Sequence, residues 1–197
     1  MTRTQIFSFV VIAILLVLGV ASYLFLRPSA SPASATAQEA SSTADASPST
    51  TSPEMSLTDS SAPPAGWKEY SNPAYHFLLY YPPDLALTEH VEPGGEHTAV
   101  FDDSSNNYGF QIFIVPYSGT QITQARFNLD EPSGVMQSPV DVIIDGTRGT
   151  IFYSNNALMG DTRELWFIRD GLLYEVTTYK PLDTWLADIM KTWKFTN

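Results

Sequence analysis

The chain has 197 residues, no cysteine, and 10 Lys and Arg against 21 Asp and Glu, which gives a formal net charge of −11. Without cysteine the protein has no disulfide, thiolate metal site, cysteine nucleophile or lipid-bearing cysteine. An acidic chain is poorly suited to hold phosphate backbones, so we expect no binding of nucleic acid.

The first predicted element is a membrane-spanning signal-anchor at residues 1–27. Residues 5–26 carry no charge, and as a helix they span about 33 Å, enough for a bilayer core of about 30 Å. The competing interpretation is a cleaved signal peptide, whose apolar core usually has only about 7–15 residues. A cleavage site at Ala35-Thr36-Ala37 would lie well past the apolar end. These features favour an uncleaved anchor.

The charges beside this helix bear on its orientation. Arg3 lies on one side of it and Arg27 on the other, so neither side is clearly marked as cytoplasmic. The long acidic remainder contains no second apolar span. We therefore expect a single-pass protein of the cell membrane, with a cytoplasmic amino terminus and an extracytoplasmic C-terminal domain.

Residues 28–65 are predicted to be a disordered linker. Only seven of them are not Ser, Thr, Ala or Pro, and none is aromatic. Such a segment cannot bury enough apolar surface to offset the entropy of its chain. As a flexible tether it has a root-mean-square reach on the order of 35 Å, and it would hold the next domain away from the membrane.

Residues 66–197 are predicted to form one globular domain. They carry 21 aromatic residues, 8 Phe, 9 Tyr and 4 Trp, enough for a single hydrophobic core. Apolar runs separated by turn residues predict strands in the first half, and a short helix follows them. In chain order the predicted strands are residues 67–71, 75–81, 85–91, 98–102 and 108–117, and the short helix is residues 121–129.

Two hairpins and a helix complete the prediction. Asp145-Gly146 and Asp170-Gly171 each separate two apolar runs, and Asp-Gly favours the two-residue turn because both positions accept a positive φ. Residues 181–193 place their apolar side chains on one helical stripe. The fold class is therefore α+β, a mostly antiparallel β-sheet with a C-terminal amphipathic helix packed on it. The predicted hairpin strands are residues 140–144, 147–154, 164–169 and 172–179.

A spaced aromatic motif suggests a family. The pattern Tyr70-x-x-x-x-Tyr75-x-Phe77-x-x-x-Tyr81-Pro82, with the later hairpins and the final helix, resembles the PsbP-like family. That family is named for an extrinsic subunit of photosystem II, and it shares its fold with a Ran-binding nuclear import factor. The resemblance implies the fold and a non-catalytic use, and it transfers no catalytic residues.

Two departures from the family pattern argue against a photosystem role. His76 stands where the family usually has glycine before the aromatic residue at 77. Photosynthetic members also lack the membrane anchor and tether predicted for this chain. The resemblance then fits a bacterial, membrane-anchored member of unknown role.

One cluster has the side chains of a metal site. In Glu89-His90-x-Glu92-x-x-x-Glu96-His97, two imidazoles and the neighbouring carboxylates flank a Pro-Gly-Gly turn. His90, Glu92, Glu96 and His97 are the candidate ligands for Zn²⁺ or a similar ion, provided the turn brings them together. The spacing matches no established metal motif, and the competing interpretation is a polar hairpin loop.

No catalytic constellation emerges, and we predict no enzyme and no cofactor. The domain has only His76, His90 and His97 as histidines, with no Gly-x-Ser-x-Gly elbow and no Gly-rich phosphate loop. We predict a membrane-anchored extracytoplasmic binding or accessory module, with an unknown protein partner at the membrane or cell envelope. The alternative is a metal- or small-ligand-responsive sensor domain that uses loop 89–97, and an envelope hydrolase is a third, weaker interpretation.

Overall fold

The computed structural model describes residues 55–56, 62–103, 105–157 and 159–196. The predicted signal-anchor and most of the predicted linker lie outside the described residues. In the part of the chain that the structure describes, no helix is both long and apolar enough to cross a membrane. The predicted α+β architecture is confirmed, because mostly antiparallel strands are followed by a C-terminal helix.

The described residues form eleven strands and two α-helices, most of them close to the predicted positions. α1 is Gln124–Asp130, and α2 is Asp183–Met190, preceded by one 3₁₀ turn. The strands are β1 (Met55–Ser56), β2 (Lys68–Asn72), β3 (Phe77–Tyr81), β4 (Ala86–Val91), β5 (His97–Asp103), β6 (Tyr108–Pro116), β7 (Gln137–Ile144), β8 (Thr147–Asn156), β9 (Gly160–Arg169), β10 (Leu172–Tyr179) and β11 (Lys194–Phe195).

The strands are divided between two sheets. The larger sheet has the order β1-β7-β8-β9-β10-β6-β5-β4, and the smaller one has the order β11-β3-β2. All neighbouring strands are antiparallel except β1, which pairs with β7 in parallel. β1 consists of two residues of the predicted linker. The sequence predicted disorder for them, whereas the structure places them in a strand beside β7.

The larger sheet is covered on both faces. The smaller sheet and α2 lie on the first face, where Phe77, Phe101, Tyr174 and Trp193 are buried in the main core. α1 lies on the second face, and its Phe127 packs against Phe152 and Trp166. The central strands are therefore buried on both faces.

Both Asp-Gly turns are confirmed by their backbone angles. Asp145 and Gly146 have φ of 44° and 80°, and Asp170 and Gly171 have φ of 51° and 79°. The turn between β4 and β5 is of a different kind, because Gly95 N donates to Glu92 O at 3.0 Å and Gly95 has a φ of 90°. This is a three-residue hairpin loop that needs glycine at the left-handed position.

The structure explains the His76 departure. His76 is exposed and has a φ of 53°, in the left-handed region that glycine adopts without strain. The predicted strand at 75–81 consequently starts only at Phe77, and Tyr75 and His76 belong to the preceding turn. Histidine is one of the residue types that tolerate this region, so the turn is kept without glycine.

The C-terminal helix is shorter than predicted. α2 ends at Met190, and Trp193 lies in the connection to β11. Thr192 ends the helix, because its Oγ1 donates to Ile189 O at 2.7 Å and accepts from Tyr80 N at 2.9 Å. This contact with β3 turns the chain away from the helical path and starts the pairing of β11 with β3.

We expect Trp193→Ala to lower the free energy of unfolding by about 3–5 kcal/mol. Trp193 is fully buried and stacks on Phe77 with a ring separation of 4.2 Å. Urea unfolding measures the loss, with the half-buried Trp185→Ala as the control, since Trp185 packs at the edge of the core against Tyr108. A loss at position 193 no greater than that at 185 would contradict the assignment of the core.

Candidate functional site

The predicted metal ligands lie on the hairpin of β4 and β5. His90 is opposite Thr98, and Val91 is opposite His97. Successive side chains of a strand point to opposite faces of the sheet, so His97 lies on the first face with Val91 and Glu89, whereas His90 lies on the second. The hairpin therefore separates the two imidazoles.

The remaining predicted ligands lie at the tip of the hairpin. Glu92 and Glu96 are partly exposed on the two sides of the turn, where Glu92 N donates to Glu96 O at 2.9 Å. Among the described residues, no group of three or more His, Asp or Glu side chains is arranged to hold a metal ion. The structure thus does not gather His90, Glu92, Glu96 and His97 around one point.

His97 takes part in a polar chain that joins the two sheets. Its Nε2 lies 3.1 Å from Glu89 Oε1, and the same oxygen accepts from Tyr70 Oη at 2.7 Å. Tyr70 Oη in turn accepts from Asn72 Nδ2 at 2.9 Å. Burial, followed by the hydrogen bond to Glu89, raises the pKa of Tyr70 well above its usual value. The hydroxyl therefore stays protonated and connects β2 of the smaller sheet to β4.

Two histidine ring nitrogens in the hairpin of β4 and β5 have no hydrogen-bond partner among the described residues. They are His90 Nε2 and His97 Nδ1, and both atoms are buried. The ring of His97 also lies 5.1 Å from that of Tyr75. Because the nitrogens are on opposite faces of the hairpin, they offer two separate single-donor positions and not one shared site.

β4 is one of the two edge strands of the larger sheet. The bond from Glu92 N to Glu96 O shows that these two residues form a hydrogen-bonded pair at the tip of the hairpin. Along an antiparallel ladder, hydrogen-bonded pairs alternate with non-hydrogen-bonded pairs. Leu87, Glu89 and Val91 consequently direct their N–H and C=O groups away from β5. No described strand pairs with these groups, since β4 ends the sheet.

The region around this edge is strongly acidic. Residues 69–125, which include β3 to β6, contain no lysine or arginine. The lysines and arginines of the described residues are Lys68 and those from Arg126 onward. The edge of β4 therefore presents unpaired backbone groups in a field of one sign. The acidic residues of the stretch are Glu69, Asp84, Glu89, Glu92, Glu96, Asp102 and Asp103.

A second polar group, which the sequence analysis missed, is buried under α1. Glu164 on β9 is 3% exposed, and it accepts hydrogen bonds from Thr177 Oγ1 at 2.6 Å and from Trp166 Nε1 at 3.4 Å. Burial raises the pKa of Glu164 to about 7, although the bond from Thr177 opposes this shift. The sequence signal was a glutamate two residues before Trp166, on the same face of an apolar strand.

Glu175 lies on the same face in the adjoining strand. It is 6% exposed, and burial together with the neighbouring carboxylate of Asp130 raises its pKa well above the usual value. Arg126 Nη2 donates to Asp130 Oδ1 at 2.7 Å and lies 4.0 Å from Glu175 Oε1. One arginine thus faces two buried carboxyls, and a proton on Glu175 relieves the remaining repulsion.

Comparison with known proteins yields a structural similarity only. No family model matches the chain, and no curated protein matches it. The chain is similar to the solution structure of cyanobacterial PsbP (CyanoP) from Synechocystis sp. PCC 6803, with 15% sequence identity and a TM-score of 0.47. The similarity covers 66% of this chain and 93% of that one. Nothing about the function of this chain follows from this similarity.

We expect Glu164→Gln to change how stability depends on pH. The pKa of Glu164 is about 7 in the folded protein against an ordinary value of 4.5, so the folded state holds the proton more tightly. The stabilisation by this group is complete below about pH 4.5 and is lost as the pH rises through 7. Glutamine has no proton to lose, so relative to wild type the variant should gain on the order of 2–3 kcal/mol between about pH 5 and pH 8.

Urea unfolding across this pH range measures the difference in stability. The exposed Glu69→Gln is the matched control, and it should keep the pH dependence of the wild type. A difference between Glu164→Gln and wild type that is the same at both ends of the range would contradict the raised pKa.

We expect neither Zn²⁺ nor Ca²⁺ to raise the melting temperature of the protein. An ion that binds only the folded state stabilises it by mass action, but the hairpin places His90 and His97 on opposite faces, and no group of three or more His, Asp or Glu among the described residues could hold either ion. The melting temperature of the full chain, with each ion and with chelator, measures this. A rise with Zn²⁺ that disappears in both His90→Ala and His97→Ala would instead support the metal site.

Proposed function

We propose that the chain is a membrane-anchored extracytoplasmic binding or accessory module that is not catalytic. Its work would be to support a protein assembly at the membrane or cell envelope. The single observation that carries the proposal is the open edge of β4, where unpaired backbone groups lie in an acidic region. Exposed sheet edges of this kind are ready templates for pairing with another chain.

The polar chains inside the domain hold its layers together. His97, Glu89 and Tyr70 connect the two sheets through contacts of 3.1 Å and 2.7 Å. Glu164 and Thr177 connect two neighbouring strands under α1 through a bond of 2.6 Å. Groups held in this way stabilise the fold, and the proposal assigns interaction to the edge of β4.

The anchor and tether give the proposal its location. An apolar helix at residues 5–26 would fix the chain in the membrane, and a Ser-, Thr-, Ala- and Pro-rich tether would let the domain search a radius on the order of 35 Å. A tethered module meets a membrane-bound partner at high effective concentration, so a modest affinity is sufficient.

A second candidate function is the metal- or small-ligand-responsive sensor. The observation in its favour is the pair of buried, unpartnered nitrogens, His90 Nε2 and His97 Nδ1. Their placement on opposite faces of the hairpin means that one ligand would contact only one of them directly. We rank this candidate below the binding module for that reason.

We expect a single cysteine at Thr120 to crosslink a partner from outside the cell. The chain has no cysteine, so Thr120→Cys, at an exposed position, gives one defined reactive site. A membrane-impermeant thiol crosslinker applied to intact cells should couple the full-length variant to the same protein in repeated preparations. The products are identified by mass spectrometry.

Thr2→Cys is the matched control, because it lies before the anchor and should react only after the cells are permeabilised. Reaction at Thr2→Cys but not at Thr120→Cys in intact cells would contradict the orientation. Reaction at Thr120→Cys with no reproducible partner would contradict the binding function.

A further inference from the structure

We propose that the edge of β4 binds an extended basic segment of a partner protein, which adds to the larger sheet as a further strand along Ala86–Val91. This inference rests on the proposed binding function, and it adds the surface and the chemistry of the partner. It is carried by the hydrogen-bond alternation in β4, by the exposure of this strand and by the charge around it.

The backbone of β4 offers a regular set of bonds to an added strand. Leu87, Glu89 and Val91 direct both an N–H and a C=O outward, as the alternation from the Glu92–Glu96 pair requires. These three residues provide three donors and three acceptors at the spacing of an antiparallel or parallel ladder. A segment of about six residues would cover the whole strand.

The strand is accessible along its length. Val91 is 72% exposed, the highest value among the large apolar residues of the described chain that are exposed, and the Glu89 side chain is 44% exposed. Ala86 and Thr88 are exposed as well. An exposed valine at the end of an open edge leaves apolar area that an added strand would bury.

The negative charge around β4 determines which kind of strand can bind there. A second copy of this chain, added antiparallel about a two-fold axis at Glu89, would place Glu89 opposite Glu89 of its twin, and like charges directly opposite destabilise a cross-strand pair. Residues 69–125 contain seven acidic side chains and no lysine or arginine, so an approaching acidic strand is repelled and a basic one is attracted. The occupant is therefore a basic segment from another protein.

The side chains of β4 define a pattern for this segment. Leu87, Glu89 and Val91 point to the same face of the sheet, and the residues opposite them on an added strand lie about 5 Å away. Apolar residues suit the positions opposite Leu87 and Val91, and lysine or arginine suits the position opposite Glu89. Glu89 Oε1 is engaged by Tyr70 and His97, so the basic group would contact Oε2.

Two synthetic peptides test the proposal on the full chain in detergent micelles. The probe is acetyl-Ser-Val-Thr-Lys-Thr-Val-Ser-amide, which fits the pattern in either strand direction, and the matched peptide has Glu in place of Lys. Amide exchange by NMR is the readout. We expect the Lys peptide to slow exchange at Leu87, Glu89 and Val91, because the alternate amides of β4 are already bonded to β5. The Glu peptide should have no effect.

Val91→Pro is the discriminating variant. Proline removes an outward N–H, which β5 does not use, so the edge strand tolerates it. We expect the Lys peptide to bind Val91→Pro about fivefold more weakly, whereas Val91→Ala keeps the donor and tests the contribution of the side chain. Glu89→Gln keeps the acceptor for Tyr70 and should weaken the Lys peptide about threefold at low salt and less at high salt.

The outcomes separate this inference from the proposed function. Slower exchange at the three outward amides with the Lys peptide only, weakened in Val91→Pro, supports the inference. Slower exchange with both peptides, or with neither, overturns it. Outward amides that are already protected in the free chain overturn it as well, because a second copy or the linker then occupies the edge. A partner crosslinked at Thr120→Cys in cells would still uphold the binding function in each of these cases.

Discussion

Three aromatic rings from distant parts of the chain meet where the two sheets and the C-terminal helix join, and the rest of the fold depends on this contact. Phe77 stacks on Trp193 at 4.2 Å, and Tyr174 meets both rings edge to face at 6.0 Å. Because β11 follows Trp193 directly and pairs with β3, the stack fixes the smaller sheet on the larger one. That placement in turn brings Tyr70 within 2.7 Å of Glu89. Large buried rings provide most of the free energy that holds such layers together.

The alternation of side chains along a strand then determines which groups can act together. His90 and His97 are neighbours across a tight hairpin, yet they point to opposite faces. The same alternation places Leu87, Glu89 and Val91 on one face and turns their backbone groups outward. The hairpin of β4 and β5 thus has the residue types of a metal site, but its arrangement suits the addition of a further strand. Its acidic character both discourages pairing between copies and favours a basic partner.

Acidic residues have two separate roles in this domain. Around β4 they lie at the surface, where they set the charge of the open edge. Under α1, Glu164 and Glu175 are buried, with Arg126 4.0 Å from Glu175, and burial raises the pKa of both glutamates. The short helix α1 therefore lies over carboxyls that hold protons more tightly than usual, so the stability of this face depends on pH. The surface carboxylates around β4 and the buried carboxyls under α1 lie on different strands. The effect of the first group on binding is therefore separable from the effect of the second on stability.

The sequence by itself determined the elements whose signals are local. The Asp-Gly turns, the strands ended by proline and glycine and the amphipathic C-terminal helix all follow from backbone preferences and periodicity. The structure adds that His76 occupies a left-handed position, which glycine adopts without strain. Only the tertiary structure decided which strands lie at the sheet edges, that the two imidazoles of the hairpin lie on opposite faces and which glutamates are buried. These features depend on strand order and register, and they arise from contacts between residues far apart in the chain, such as Trp193 with Phe77.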